Sequence, residues 1–264
     1  MVEERDGAGR VATVLAGTKG LGRGCVDALA ARGFSVALCA RTAADVEATV
    51  DQLRSKGVQA TGRAVDVADP AQLEAFLGQV DVDLGPTSVL VANAGGPPPG
   101  RVLDLDDAAW QLGFELTFLS AVRSIRLAVP RMRRAGYGRI VVIGSSSVRQ
   151  PLEGLALSNA YRPALVGVVK SLALDLAPEG ITANLVAPGR IATERVAQLD
   201  ALVAEREGVP VEEVRARSEQ AIPMGAYGRP ADLGELVGFL ASPAAGYLTG
   251  QTILVDGGLI RSLH

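Results

Sequence analysis

Seven short runs rich in β-branched and aliphatic residues alternate with longer stretches of helical periodicity. This alternation limits the possible folds more than any other feature of the chain. The runs are Val11–Ala16, Ser35–Ala40, Gln59–Val65, Ser88–Ala92, Arg139–Gly144, Ile181–Ala187 and Thr252–Val255. They are almost continuously apolar, the pattern of strands covered on both faces. Between them, Phe114, Phe118, Ala121, Ile125 and Val129 recur at i+3 or i+4, as do Leu165, Val168, Leu172 and Leu176. Strands joined by helical crossovers predict an α/β fold, a Rossmann-type doubly wound parallel sheet of seven strands. The chain has no linker, repeat or low-complexity tract, so a single domain over residues 1–264 is expected.

Two segments interrupt the rhythm. Gly95-Gly96-Pro97-Pro98-Pro99-Gly100 follows the fourth strand and cannot be helical. Thr193 to Gly228 is a long insert, with Gly208 and Pro210 dividing two helical pieces. Excursions of this kind at the carboxyl ends of parallel strands serve as substrate loops or lids, the alternative being a surface hairpin of helices.

Scarce residues narrow the chemistry. The only histidine is His264, at the chain end, where termini fray. Ser-His-Asp and Cys-His catalysis therefore lack their base, and no metal site is expected. Cys25 and Cys39 lie in apolar stretches as small core residues. Without a signal-peptide pattern they suit a reducing cytoplasm. No apolar run reaches the roughly 18 residues of a membrane span. Lys+Arg at 26 against Asp+Glu at 29 gives a net charge of −3, which offers nothing to nucleic acid. Hydroxyls, arginines, carboxylates or a cofactor must do the work.

Directly after the first strand comes Gly17-Thr18-Lys19-Gly20-Leu21-Gly22, then a helix expected from about Leu21 to Arg32. A glycine-rich strand-to-helix turn lets backbone approach a pyrophosphate at a helix N-terminus. The residue closing the second strand commonly selects the adenine ribose: an acid binds the 2′-hydroxyl of NAD and repels a 2′-phosphate. Here it is Arg41, with Lys19 nearby, which argues for NADP(H). The alternative is a solvated strand end.

The whole chain resembles the short-chain dehydrogenase/reductase family. Leu15-Ala16-Gly17-Thr18-Lys19-Gly20-Leu21-Gly22 matches its Thr-Gly-x-x-x-Gly-x-Gly segment, with Leu15 for the threonine and Ala16 for the first glycine. Asn93-Ala94-Gly95 matches the turn after strand four, and Asp66-Val67 the pair placed on adenine. Pro188-Gly189, with Ile191 and Thr193, matches the segment near the nicotinamide carboxamide, and Asp256-Gly257-Gly258 the C-terminal signature. The resemblance implies hydride transfer between nicotinamide and a carbonyl or alcohol carbon. It also implies a homotetramer or homodimer built on helices around 108–135 and 157–177 and on the last strand.

The family's catalytic group is a serine, a tyrosine thirteen residues later, a lysine four beyond it, and an upstream asparagine. Anchored on Lys170-Ser171-Leu172-Ala173, these positions hold Ser145, Ser158, Arg162 and Thr117. A serine hydroxyl is a far weaker acid than an activated phenol, and Arg162 keeps the charge of a lysine without its readiness to titrate. Tyr161, one turn after Ser158, is either a substitute proton donor or a structural phenol. Pro163 requires that the helix start near Asn159–Ala160 or be kinked.

Arg149, Arg190 and Arg195 suggest an acidic or oxyanion-bearing small-molecule substrate, or else pair with Glu153, Glu194 and other surface acids. Trp110, Leu152, Leu155, Met224 and Tyr227 could line a pocket or fill a core. Three functions follow: an NADP(H)-dependent oxidoreductase, a non-redox enzyme (dehydratase, isomerase or cyclase) on the same scaffold, or a silent NADP(H)-binding protein.

Overall fold

The computed structural model describes residues 6–263; His264 lies outside the described residues. Every predicted strand forms. β1 (Val11–Val14) leads through α1 (Gly20–Ala31) to β2 (Ser35–Ala40), and α2 (Ala43–Ser55) leads on to β3 (Ala60–Ala64). α3 (Pro70–Asp83) carries the chain to β4 (Thr87–Ala92). A helical run then comprises α4 (Asp107–Phe114), a π-helical turn (Glu115–Leu119) and α5 (Ser120–Ala135), before β5 (Gly138–Ile143). α6 (Ala156–Leu176) precedes β6 (Ile181–Pro188). Finally α7 (Glu194–Glu207), α8 (Val211–Ala221) and α9 (Pro230–Ala241) precede β7 (Thr252–Val255).

The strands build one parallel sheet in the order β3-β2-β1-β4-β5-β6-β7. Winding reverses between β1 and β4, and that switch opens a crevice at the carboxyl ends of the strands. Two cores explain the apolar runs. Leu15, Ala37, Cys39, Leu90 and Ile140 face Leu73, Phe76, Ile125, Met132 and Leu165 of α3, α5 and α6. The intervening Ala12, Val14, Val36, Leu38 and Val91 face Val26, Leu29, Val50, Leu233 and Val237 of α1, α2 and α9.

On that second face α1 and α9 touch backbone to backbone. A Cβ on Gly24 would lie 2.3 Å from the Pro230 carbonyl oxygen, and one on Gly234 would lie 2.2 Å from that of Gly24. Only glycine at both positions permits the crossing.

Two local features differ from the sequence expectation. α6 starts at Ala156 and runs through Pro163, so the helix does not begin at Asn159–Ala160 and the proline lies beyond its first turn. The Phe114–Val129 periodicity also conceals the π turn at 115–119. Among the insert residues, Gly208 (φ 68) closes α7 and Pro210 caps α8, at the predicted division.

Candidate active site

The glycine turn is held by the strand beside it. Gly17 N donates to the Cys39 carbonyl at 2.9 Å, and Asn93 Nδ2 donates to the Leu15 and Ala16 carbonyls at 3.2 and 3.4 Å. A Cβ on Gly22 would lie 2.0 Å from the Ala16 oxygen and 2.9 Å from Asn93 Nδ2, so only glycine fits there. Ala16 itself has φ 49, the sole positive φ of a non-glycine among the described residues. The family pattern puts glycine there because an L-residue in this region costs roughly 1–2 kcal/mol.

The N-cap of α1 is Lys19, and no side chain caps the helix. Its first amides therefore remain free for an anion. Lys19 Nζ instead pairs with Asp45 on α2 at 3.1 Å, a solvent-exposed bridge. That pairing, with Glu194 nearby, raises its pKa. Arg41 is exposed and has no hydrogen bond or ion pair with any described residue.

The remaining predicted cofactor residues converge on the same edge of the sheet. Asp66 accepts from Ala68 N at 3.0 Å while Val67 is buried beside it. Ala94 and Gly95 continue from the Asn93 clamp. Pro188 ends β6, Gly189 N donates to the Val255 carbonyl at 2.9 Å, and buried Ile191 forms a bridge with Gly228. Thr193 Oγ1 accepts from Val196 N at 3.3 Å to cap α7, and its Cγ2 lies 3.2 Å from a Cβ built on Gly20. The start of α7 thus abuts the glycine turn.

A second cluster sits at the end of β5. Ser145 caps the short 3-10 turn Ser146–Val148, accepting from Ser147 N at 3.1 Å. The Ser147 and Ser158 hydroxyls lie 3.2 Å apart, both buried, and Ser147 Oγ also donates to the Ser158 carbonyl at 3.4 Å. Arg162, one turn on from Ser158 along α6, is 7% exposed and donates to the Ile143 carbonyl. Burial, with the charge of Arg195 close by, pulls its guanidinium down to about 10, still protonated at neutral pH. Thr117 stands in the π turn, 2% exposed, with no hydrogen-bond partner for Oγ1 among the described residues. π turns recur at functional sites because they re-aim a side chain within a helix.

Tyr161 is placed differently. Its hydroxyl donates to the Trp110 carbonyl at 3.0 Å, and its ring contacts Trp110 edge-on at 5.9 Å and Phe114 at 5.8 Å. Trp110 accordingly packs against α6. Met224 is exposed, and the Tyr227 hydroxyl donates to Asp200 at 2.9 Å.

The three loop arginines do not form one group. Arg190 pairs with Asp200, which follows the acid-pairing alternative, though the acid is buried rather than at the surface. Arg149 is exposed. Arg195 is half-buried and donates to the Pro97 carbonyl at 2.6 Å, which ties α7 to the loop after β4. Glu153 bonds Arg206 rather than any of the three. Sequence reading missed Ser147, Asp45 and the Arg195–Pro97 tie. Each is defined by a partner distant in the chain, and none has a local signal.

Residues 15–260 match the family described as enoyl-(acyl carrier protein) reductase. The chain belongs to the short-chain dehydrogenase/reductase family. The 3-oxoacyl-[acyl-carrier-protein] reductase FabG of Escherichia coli K12 is 32% identical over 95% of this chain and 97% of its own length. Among solved short-chain dehydrogenase/reductase structures, an actinorhodin polyketide ketoreductase variant with NADPH superposes with a TM-score of 0.92 at 33% identity, covering 98% of this chain and 99% of that one. An NADPH-bound short-chain oxidoreductase of Pseudomonas aeruginosa PAO1, described as containing an atypical catalytic center, gives 0.85 at 30% identity, covering 98% and 100%. Among the described residues no three or more His, Cys, Asp or Glu are grouped to hold a metal, and no helix is long and apolar enough to cross a membrane.

Proposed function

We propose that this protein is an NADP(H)-dependent oxidoreductase that interconverts a small carbonyl compound and its alcohol, in one domain spanning 1–264. The observation that carries this reading is the meeting, at the carboxyl ends of β1, β4 and β5, of the uncapped α1 amides with a cluster of hydroxyls and one buried arginine. Uncapped amides suit a pyrophosphate. Unpaired Arg41 suits the ribose phosphate that distinguishes NADP(H) from NAD(H), and NADPH is bound in two of the similar structures.

NADP(H), when bound, supplies or accepts a hydride at nicotinamide C4. Gly17, Thr18, Lys19, Gly20 and Leu21 hold the phosphates, and Asp66, Val67, Asn93, Ala94 and Gly95 hold the adenosine half. Pro188, Gly189, Ile191 and Thr193 hold the carboxamide, and Arg162 the nicotinamide ribose. Ser145 donates a hydrogen bond to the substrate oxygen, which polarises the carbonyl. Ser158 gives its proton to that oxygen, and a proton from solvent, passed on through the Ser147 hydroxyl 3.2 Å away, replaces it. Tyr161 is left out of the relay because Trp110 engages its hydroxyl. The catalytic centre is therefore atypical, and a relay without an activated phenol turns over slowly. The α7–α8 segment is the substrate loop.

We place the protein in a reducing cytoplasm as a homo-oligomer. Cys25 and Cys39 are unbridged buried thiols, pushed up to about 12 by burial. Leu112 and Leu174 are exposed on α4 and α6, the helices expected to meet a second copy.

A second reading, a silent NADP(H)-binding protein, is favoured by one fact: the hydroxyls of both Ser158 and Tyr161 are engaged by other groups. Following nicotinamide absorbance with NADPH and a panel of ketones and aldehydes separates the two. Consumption is expected, with kcat/KM about 100-fold lower in Ser145→Ala and NADPH affinity unchanged. Binding without consumption would select the silent reading, and absence of NADPH binding would overturn both.

A further inference from the structure

Two arginines of the described structure are buried without a carboxylate partner, and neither is fully satisfied: Nε of Arg139 lacks a partner, and Arg162 has one bond. Arg139, at the start of β5, bonds the Gly138 and Gly180 carbonyls and lies 4.2 Å from the centre of the Tyr137 ring. Arg162, at the opposite end of β5, has a single hydrogen bond, to the Ile143 carbonyl, and its remaining nitrogens have no partner among the described residues. Arg195 joins it from α7 with a similar deficit, its one bond going to Pro97.

The carbonyls that hold these two guanidinium groups come from neighbouring strands. Ile143 ends β5, whose Val142 pairs with Ala92 of β4, and Pro97 lies in the loop that β4 feeds. A Cβ on Gly96 would stand 2.9 Å from Arg195 Nε, so the glycine leaves room for the arginine to lie over this loop. The nearby acids are engaged elsewhere. Asp200 takes Arg190 and the Tyr227 hydroxyl, and Glu194 acts on Lys19. Burial lowers both guanidinium groups, and the charge of Arg195 lowers Arg162 further. Two like charges held close, one of them buried, repel each other, and an anion between them relieves that repulsion.

We propose that Arg162 and Arg195 together receive an oxyanion of the substrate, so that the carbonyl compound reduced here carries a carboxylate or a phosphate. The proposal rests on the oxidoreductase reading and supplies its substrate class. A guanidinium has two donor edges, so Arg162 can serve the nicotinamide ribose with one and the oxyanion with the other. Arg195 closes the site from the substrate loop. The reaction balances as a reduction: hydride from NADPH goes to the carbonyl carbon, the relay proton goes to its oxygen, and the oxyanion is unchanged.

Calorimetric titration of the NADP⁺-loaded protein tests this without turnover. The ligands are 3-oxobutanoate, its neutral methyl ester, and dihydroxyacetone phosphate. At least one charged ligand should bind 10-fold or more tighter than the ester. Whichever is tighter identifies carboxylate or phosphate. Arg195→Leu should abolish the preference while binding NADP⁺ as before, and Arg195→Lys should restore part of it. The wild-type comparison stands even if the leucine variant fails to fold. Equal binding of charged and neutral ligands, or no binding of any, would overturn the proposal. With NADPH the same compounds separate the two ideas. Ester reduced as fast as acid would leave the oxidoreductase and remove the oxyanion site. Charged ligands bound selectively but never reduced would leave the oxyanion site and remove the oxidoreductase.

Discussion

Ser158 and Tyr161 lie three residues apart, and their environments give them different tasks. Ser158 meets another hydroxyl, whereas Tyr161 meets a backbone carbonyl and two aromatic rings. Tyr161→Phe should therefore keep kcat near wild type and lose about 1 kcal/mol of stability, the worth of its hydrogen bond to the Trp110 carbonyl. Ser158→Ala should lower kcat at least 10-fold with little loss of stability. Steady-state kinetics beside urea unfolding of both variants checks the assignment, and a reversed pattern would return Tyr161 to the proton relay. The residue identities at these positions were legible in the sequence, because family spacing carries them. Their partners were not. Nothing local signals that Arg190 faces Asp200, or that Arg195 reaches a carbonyl 98 residues away.

At the scale of elements, the strands were readable to within one residue at nearly every end, because burial on both faces writes them as apolar runs. β1 is the exception at its far end: Leu15 and Ala16 belong to the turn that the Asn93 amide holds. The π turn at 115–119 left no trace, since one extra residue in a turn barely disturbs a 3.6-residue pattern. Of the two readings Pro163 allowed, the start at Asn159–Ala160 does not occur, because tertiary packing outweighs the loss of one helical hydrogen bond. Helix–helix contact supplies a sharper test. Gly24→Ala would set a methyl 2.3 Å from the Pro230 carbonyl, and relief requires α1 and α9 to separate. A loss of about 3 kcal/mol is expected. Gly78→Ala, where a Cβ meets nothing within 4 Å, is the matched control and should not lose stability.

For the molecule as a whole, the sheet order gathers the predicted cofactor residues at the carboxyl ends of its strands, and the same burial that builds the two cores governs alkaline stability. Cys25 and Cys39 are raised from 9.0 to about 12 in the folded protein. Their contribution is fully present below pH 9, where both states keep the thiols protonated. It is lost as pH rises toward 12, because the unfolded thiols ionise first. Thermal unfolding between pH 8 and 11 should show Tm falling above pH 9, and a Cys25→Ala/Cys39→Ala variant should show a shallower fall. Parallel curves would mean that other groups dominate.

The central claim is that hydride passes between a nicotinamide and a carbon held beside Ser145. Its most direct test uses NADPH deuterated at C4, stereospecifically on each face in turn, with mass spectrometry of the alcohol formed. One deuterium in each product molecule, from one face only, is the predicted result. Tight NADPH binding with no label in any product, across oxo acids, phosphorylated ketones and neutral carbonyls, would contradict it.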